Sequence, residues 1–112
     1  MDEFQKQPAV YIMASRYRGT LYVGVTTALY LRVCDHKNER FDGFTRQYNV
    51  KTLVWYAHFV TMDEAIHREK LLKKWRREWK FRTIEEMNPD WMDLHDRIDA
   101  GAMFTDMQMG SR

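Results

Sequence analysis

The chain has a single cysteine, Cys34, together with only two prolines and five glycines among its 112 residues. One cysteine cannot form a disulfide within the chain, which excludes the disulfide-stapled domains of secreted proteins and is typical of a reducing compartment. No apolar run approaches the roughly 18 residues that a membrane span needs, and residues 1–7 lack the apolar stretch of a signal peptide. These absences predict a soluble, cytoplasmic protein with no disulfide partner and no membrane association.

Hydrophobic and aromatic side chains are plentiful, at 45% and 14% of the sequence. That content is sufficient for one packed core at this chain length, and it excludes a disordered chain. The pattern predicts one folded domain over residues 9–98. A flexible tail is predicted at 1–8 and a flexible acidic tail at 99–112, where no core pattern is found.

Charge is distributed unevenly along the chain although the net charge is only +2. Residues 1–82 hold 16 Lys and Arg against 9 Asp and Glu, whereas residues 83–112 hold 2 against 7. A basic body favours a polyanionic partner that binds one surface. Random clustering on a solvated surface is the alternative.

Hydrophobic periodicity predicts an α+β fold of the sandwich type, with a three-stranded, mostly antiparallel sheet flanked by helices in the order β-β-α-β-α-α. The predicted strands are 9–14, 21–25 and 52–60, and the predicted helices run to about 38, from 62 through 79, over 81–87 and over 90–98. Thr26 or Thr27 is expected to cap the first helix and Thr61 the second. Residues 39–49 are predicted to be a loop. The strand at 52–60 is the most apolar and is predicted to lie in the middle of the sheet.

Glu69 is the main physical anomaly of the sequence. It falls within an apolar helical stripe formed by Met62, Ile66, Leu72 and Trp79. An ionised carboxylate in that position needs a partner, because burying it alone costs several kcal/mol or shifts its pKa. An arginine, a metal ion or a route to solvent would each satisfy it.

Two further polar residues, Arg32 and His36, lie four apart and share a face of the first predicted helix. That face also carries apolar residues, which places both side chains at the edge of the core. Tyr11 and Tyr22 lie in the first two strands. Taken singly, these residues are as typical of a surface pair and of packing tyrosines as of a catalytic site.

Together the residues form an ordered pattern of motifs, Ala9-Val10-Tyr11, Tyr22-Val23-Gly24, Arg32, His36 and Glu69. In this pattern the chain resembles the GIY-YIG nuclease superfamily, and in particular its small stand-alone bacterial members. The resemblance covers about residues 9–96 and also takes in segments 43–46, 73–77 and 88–91. Ala9 stands where the first motif usually has glycine.

The resemblance implies a divalent-metal-dependent endonuclease that hydrolyses DNA, with Tyr11, Tyr22, Arg32, His36 and Glu69 as catalytic residues. Glu69 would bind Mg²⁺, for which Mn²⁺ would substitute, and Arg32 would clamp the phosphate. Tyr11 or Tyr22 would orient or deprotonate the attacking water, and the choice between them stays open. His36 would share the proton transfer, and a role for Asn88 also stays open.

A basic segment follows Glu69 and predicts a surface that binds the phosphate backbone. Its members are Lys70, Lys73, Lys74, Arg76 and Arg77, and Arg46 is expected to extend it. Trp79 is predicted to lie in the core, and burial is also favoured for Trp75. With no second DNA-binding domain in view, structure-selective or weakly sequence-selective cleavage by a monomer or weak dimer is expected. A non-catalytic nucleic-acid-binding module and a protein-interaction domain are the alternatives.

Overall fold

A computed structural model describes residues 7–38 and 43–98, and it contains one three-stranded antiparallel sheet. The strands are β1 (Ala9–Ala14), β2 (Leu21–Thr26) and β3 (Thr52–His58), in the spatial order β2-β1-β3. The predicted α+β fold and its element order are confirmed. The prediction that the third strand lies in the middle is wrong. β1 is central because all six of its residues are apolar and buried, as a strand covered on both faces requires.

Helices pack on both faces of this sheet. They are α1 (Leu29–Lys37), α2 (Phe44–Gln47), α3 (Met62–Lys74), α4 (Arg77–Met87) and a final 3₁₀ helix, Leu94–Ile98. The prediction of a loop at 39–49 is wrong over α2. Residues 1–6, 39–42 and 99–112 lie outside the described residues. They include most of the predicted N-terminal tail and all of the predicted C-terminal tail. None of the helices described is long and apolar enough to cross a membrane.

The caps of the helices agree only in part with the sequence pattern. Thr61 caps α3 through a capping box with Glu64, as expected for a threonine followed three residues later by glutamate. The N-cap of α1 is Ala28, not Thr26 or Thr27. The Thr26 hydroxyl instead accepts a hydrogen bond from the Ala28 amide at 3.0 Å, and it therefore shapes the turn that precedes the helix.

The long helix predicted through residue 79 ends earlier, at Lys74. Trp75 and Arg76 have extended backbones, with ψ of 151° and 158°, and α4 then begins at Arg77. This break changes the direction in which the following side chains project. Trp79 is consequently 53% exposed, so the prediction that it belongs to the core is wrong.

Alternation along β1 divides the core into two layers. Val10, Ile12 and Ala14 pack with residues of α3 and α4, including Leu72 and Ile84. Ala9, Tyr11 and Met13 pack on the opposite face with residues of α1 and the 3₁₀ helix, including Val33 and Leu94. Tyr11 therefore faces α1, whereas α3, which carries Glu69, covers the other face of the sheet.

Candidate active site

Tyr11 and His36 form a buried pair between β1 and α1. The Tyr11 hydroxyl and His36 Nε2 are joined by a hydrogen bond of 3.0 Å. Tyr11 is fully buried and His36 is 4% exposed, so His36 lies deeper than the edge position predicted for it. The Tyr22 ring lies beside both, with centroid distances of 6.2 Å to Tyr11 and 5.1 Å to His36.

Arg32 adds a positive charge next to this pair. Burial raises the pKa of Tyr11, and nearby Tyr22 adds to the effect, while the charge and hydrogen bonding of Arg32 oppose it. Burial also lowers the pKa of His36 to about 4, helped by the charge of Arg32 and opposed by Asp35. At neutral pH the pair is therefore a protonated phenol bonded to an uncharged imidazole.

The lowered pKa of His36 predicts a loss of stability in mild acid. Above pH 6.5 the imidazole is uncharged in both the folded and the unfolded chain. Between about 6.5 and about 4 the unfolded chain binds the proton first, so acidification favours unfolding. The free energy of unfolding should fall by about 3 kcal/mol from this group across that window.

Urea denaturation at a series of pH values measures this effect. A His36→Gln variant should lack the component, whereas His67→Gln, which alters an exposed histidine of α3, should keep it. Parallel pH profiles for the parent and His36→Gln would show that burial of this imidazole does not control stability in acid.

Gly24 provides the space that the Tyr11 ring occupies. The two residues face each other in the β1–β2 register. A Cβ atom at residue 24 would lie 2.5 Å from both Cζ and the hydroxyl oxygen of Tyr11. The glycine of the second motif is thus required by a close approach of a side chain within the site.

A Gly24→Ala variant is therefore expected to lose about 1–3 kcal/mol of stability, because the fully buried Tyr11 ring would have to move to make room for the new methyl group. Chemical denaturation measures the loss. In a Tyr11→Leu background the same change should cost clearly less, because leucine lacks the ring atoms that the new methyl group meets. Equal costs in the two backgrounds would contradict the contact.

An open cleft runs along the outer edge of β2, the strand that pairs only with β1 within the described sheet. Its lining residues are Leu21, Tyr22, Val23, Phe44, Lys73 and Lys80. Leu21 and Val23 pack toward the α3 side and Tyr22 toward the α1 side. The cleft therefore lies where groups from both faces of the sheet meet.

Glu69 reaches this region from α3. Its side chain is 12% exposed and forms an ion pair with Lys73, whose Nζ lies 2.6 Å from a carboxylate oxygen of Glu69. Lys73 lines the cleft together with Tyr22. The Glu69–Lys73 ion pair therefore connects Glu69, on the α3 side of β2, with the cleft that Tyr22 lines from the α1 side. The structure thus groups four of the predicted catalytic residues, Tyr11, Tyr22, Arg32 and His36, on the α1 face of the sheet. Glu69 lies on α3 on the other face, and its connection to the cleft runs through Lys73.

Glu69 offers one carboxylate to a metal ion. Residues 7–38 and 43–98 contain no group of three or more His, Cys, Asp or Glu side chains placed to bind a metal. A closed zinc site does not fit that donor set. Mg²⁺ fits it, since this ion commonly retains several waters and binds one or two carboxylates with phosphate oxygens. Lys73 would have to leave Glu69 when a metal binds.

The predicted nucleic-acid-binding residues divide into two groups. All six are exposed, and the first group has five members, namely Arg46 on α2, Lys70, Lys73 and Lys74 on α3, and Arg76 after it. Arg77 instead donates hydrogen bonds of 2.9 and 3.0 Å to the carbonyls of Arg18 and Gly19. It holds the β1–β2 loop against α4 and has fewer donors left for phosphate.

Asn88 uses its amide group within the fold. Its Nδ2 donates to the carbonyls of Val54 and Met92, at 3.1 and 2.8 Å, and its Oδ1 accepts from the Met92 amide at 3.0 Å. It therefore fastens the end of α4 to β3. The cleft residue Phe44 had no predicted role in the site. Lys80 belongs to the same basic stretch of sequence, whose outward lysines were predicted to bind phosphate, and it lies on α4, beyond the helix break, whereas Lys73 lies on α3.

Comparisons with known proteins agree with these motifs. A family model described as the GIY-YIG catalytic domain matches residues 7–82. A UPF0213 protein of Staphylococcus haemolyticus is 31% identical over 77 residues, which are 69% of this chain and 93% of the relative. A UPF0213 protein of Staphylococcus epidermidis is 31% identical over 68 residues, covering 61% and 83%. No solved structure matches. Because the family model covers more than half of the sequence, the chain belongs to the GIY-YIG catalytic domain family.

Proposed function

We propose that the chain is a divalent-metal-dependent endonuclease that hydrolyses DNA phosphodiester bonds with structure selectivity or weak sequence selectivity. The observation that carries this proposal is the presence of unlike groups on the two faces of the sheet beside β2, connected by a cleft that both Tyr22 and Lys73 line. A hydrogen-bonded phenol and imidazole and a guanidinium lie on one side, and a mostly buried carboxylate lies on the other. Phosphodiester hydrolysis needs this combination, since negative charge accumulates on the phosphate oxygens while a water must lose a proton.

Glu69 is the residue that would hold Mg²⁺. When bound, the ion supplies electrostatic stabilisation of the phosphate oxygens in the transition state. Lys73, once released from Glu69, remains at the cleft and adds a second positive charge near the phosphate. Arg32 binds a phosphate oxygen from the α1 side through its planar fork of donors. The phosphate is thus held between cations from both faces of the sheet.

The two tyrosines have different positions and, we propose, different tasks. Tyr22 lines the cleft and therefore orients the attacking water. Tyr11 is fully buried behind it, and burial raises its pKa, so the phenol stays protonated at neutral pH and does not serve as a base. Tyr11 instead positions His36 through their hydrogen bond. His36 is uncharged at neutral pH, and its pKa of about 4 makes it a weak base, so we assign it the task of orienting Tyr22, whose ring lies beside its own.

The binding surface comes from the exposed cations of α2, α3 and the α3–α4 junction. If the five predicted cations other than Arg77 contact phosphates, the affinity for duplex DNA should fall with salt with a log–log slope of about −4 to −5. A protein-interaction domain would show no salt-sensitive retention on DNA beyond bulk ion exchange.

The experiment that tests the function is a panel of end-labelled DNA substrates in Mg²⁺, Mn²⁺ and EDTA. The panel comprises single strand, duplex, nicked, gapped and forked DNA of one sequence. We expect cleavage with either metal, none in EDTA, and a preference for one structure. Cleavage in EDTA would contradict metal dependence. Salt-sensitive binding without cleavage of any substrate would identify a non-catalytic module on this fold.

A further inference from the structure

An exposed pair of aromatic side chains lies directly beside the cleft. Phe44 and Tyr48, here called the aromatic pair, stand on and just after α2, and their ring centroids are 4.9 Å apart. Each is 46% exposed, and Phe44 itself lines the cleft. The Phe44 ring is also 6.5 Å from that of Tyr22, so the aromatic surface is continuous with the candidate active site.

Two lysines also line this cleft. Lys73 comes from α3 and Lys80 from α4. Burial lowers the pKa of Lys80, and the positive charges of Arg77 and Lys73 lower it further. An anion in the cleft, such as a phosphate group, would stabilise these positive charges in addition to the contact that Glu69 already makes with Lys73.

We propose that the cleft and the aromatic pair form a nucleotide subsite for single-stranded DNA. The phosphate of one nucleotide lies against Lys73 and Lys80, and its unpaired base stacks on the aromatic pair. Exposed aromatics next to a basic groove are the combination by which proteins bind single strands, since every base has a face that stacks. A base held within a duplex does not present that face.

The subsite rests on the proposed function, and it restricts the class of DNA substrate that this function would act on. It places an unpaired base next to the phosphate that Arg32 and Glu69 would address. The enzyme would therefore select DNA that is single-stranded at the cleavage position, and it would do so without reading sequence, because stacking discriminates weakly among bases.

The test is binding of fluorescein-labelled oligonucleotides by the full chain in EDTA, where metal-dependent cleavage does not occur. The probes are a 12-nucleotide oligothymidine, the same strand with abasic sites, and a duplex of the same length. The variants are Phe44→Leu and Tyr48→Leu, which keep apolar area but lose the ring. The matched control is Tyr17→Leu, which removes a 60% exposed aromatic from the β1–β2 loop.

We expect Phe44→Leu to weaken binding of the single strand about tenfold and to change duplex binding less than twofold. Tyr17→Leu should leave both affinities unchanged. The abasic strand should bind the parent about tenfold more weakly than oligothymidine, and Phe44→Leu should not weaken it further. The comparison of oligothymidine with the abasic strand uses only the parent chain, so it tests the subsite even if a variant folds poorly.

Equal affinity of the parent for the abasic strand and oligothymidine would overturn the subsite. So would an equal loss on single strand and duplex in Phe44→Leu, since that loss would not depend on an unpaired base. Failure of the proposed function is distinguishable: a chain that binds single strands through the aromatic pair but cuts no DNA in Mg²⁺ retains the subsite and loses the nuclease activity.

Discussion

Replacing Glu69 with glutamine is expected to lower Mg²⁺-dependent cleavage about a thousandfold or more, while the variant folds and binds DNA like the parent. Glutamine has the same shape but lacks the negative charge that a hard divalent ion requires. Loss of one electrostatic group at a phosphoryl or acyl transition state typically costs about 10²–10³ in rate, and loss of the metal itself costs more. Single-turnover cleavage of the preferred substrate measures the effect.

The folded state should tolerate this change. The ion pair of Glu69 joins residues four apart on one helix and its lysine is 53% exposed, so the pair contributes at most about 1 kcal/mol. Glu86→Gln, on the exposed side of α4, is the matched control and should cleave like the parent. Binding of Mn²⁺, followed by electron paramagnetic resonance, gives a second readout. A Glu69→Gln chain that cuts at the parent's rate would remove this residue from the site.

Simple spacing rules predicted which residues of the candidate site share a helix face and which side chain needs a partner. Arg32 and His36 lie four apart on α1, so a shared face follows from helix geometry alone. Glu69 is conspicuous because a charge in an apolar stripe needs a partner, and the structure does leave it mostly buried with one. That partner is Lys73, where an arginine was among the alternatives. A local i, i+4 pair is therefore sufficient to satisfy this carboxylate in the fold.

Other features depend on tertiary packing and have no local signal. The helix break at Trp75 and Arg76 has neither proline nor glycine, so the periodic pattern runs on through it and misplaces Trp79. Phe44 lies in a helix of four residues, too short to show a period. The central position of β1, by contrast, does have a signal in the sequence, which the prediction of a central third strand overlooked. Six consecutive apolar residues favour a strand buried on both faces over an edge strand.

Arg32→Met is expected to reduce cleavage about a thousandfold and also to change a proton equilibrium that needs no substrate to observe. The charge of Arg32 is the second cause of the lowered pKa of His36, after burial. Without it, the pKa of His36 should rise from about 4 toward its ordinary value of 6.5 but stay below it, because burial remains. Imidazole chemical shifts followed by NMR during a pH titration measure this change.

Arg32→Lys separates the two contributions of this residue. Lysine retains the positive charge, so the pKa of His36 should stay near about 4. It lacks the planar fork that binds two phosphate oxygens, so cleavage should remain well below that of the parent. If Arg32→Met left the pKa of His36 unchanged, the charge of the guanidinium would not act on the buried Tyr11–His36 pair. If Arg32→Lys cleaved DNA as fast as the parent, a positive charge alone would be sufficient for cleavage, and the bidentate contact of arginine with phosphate would be unnecessary.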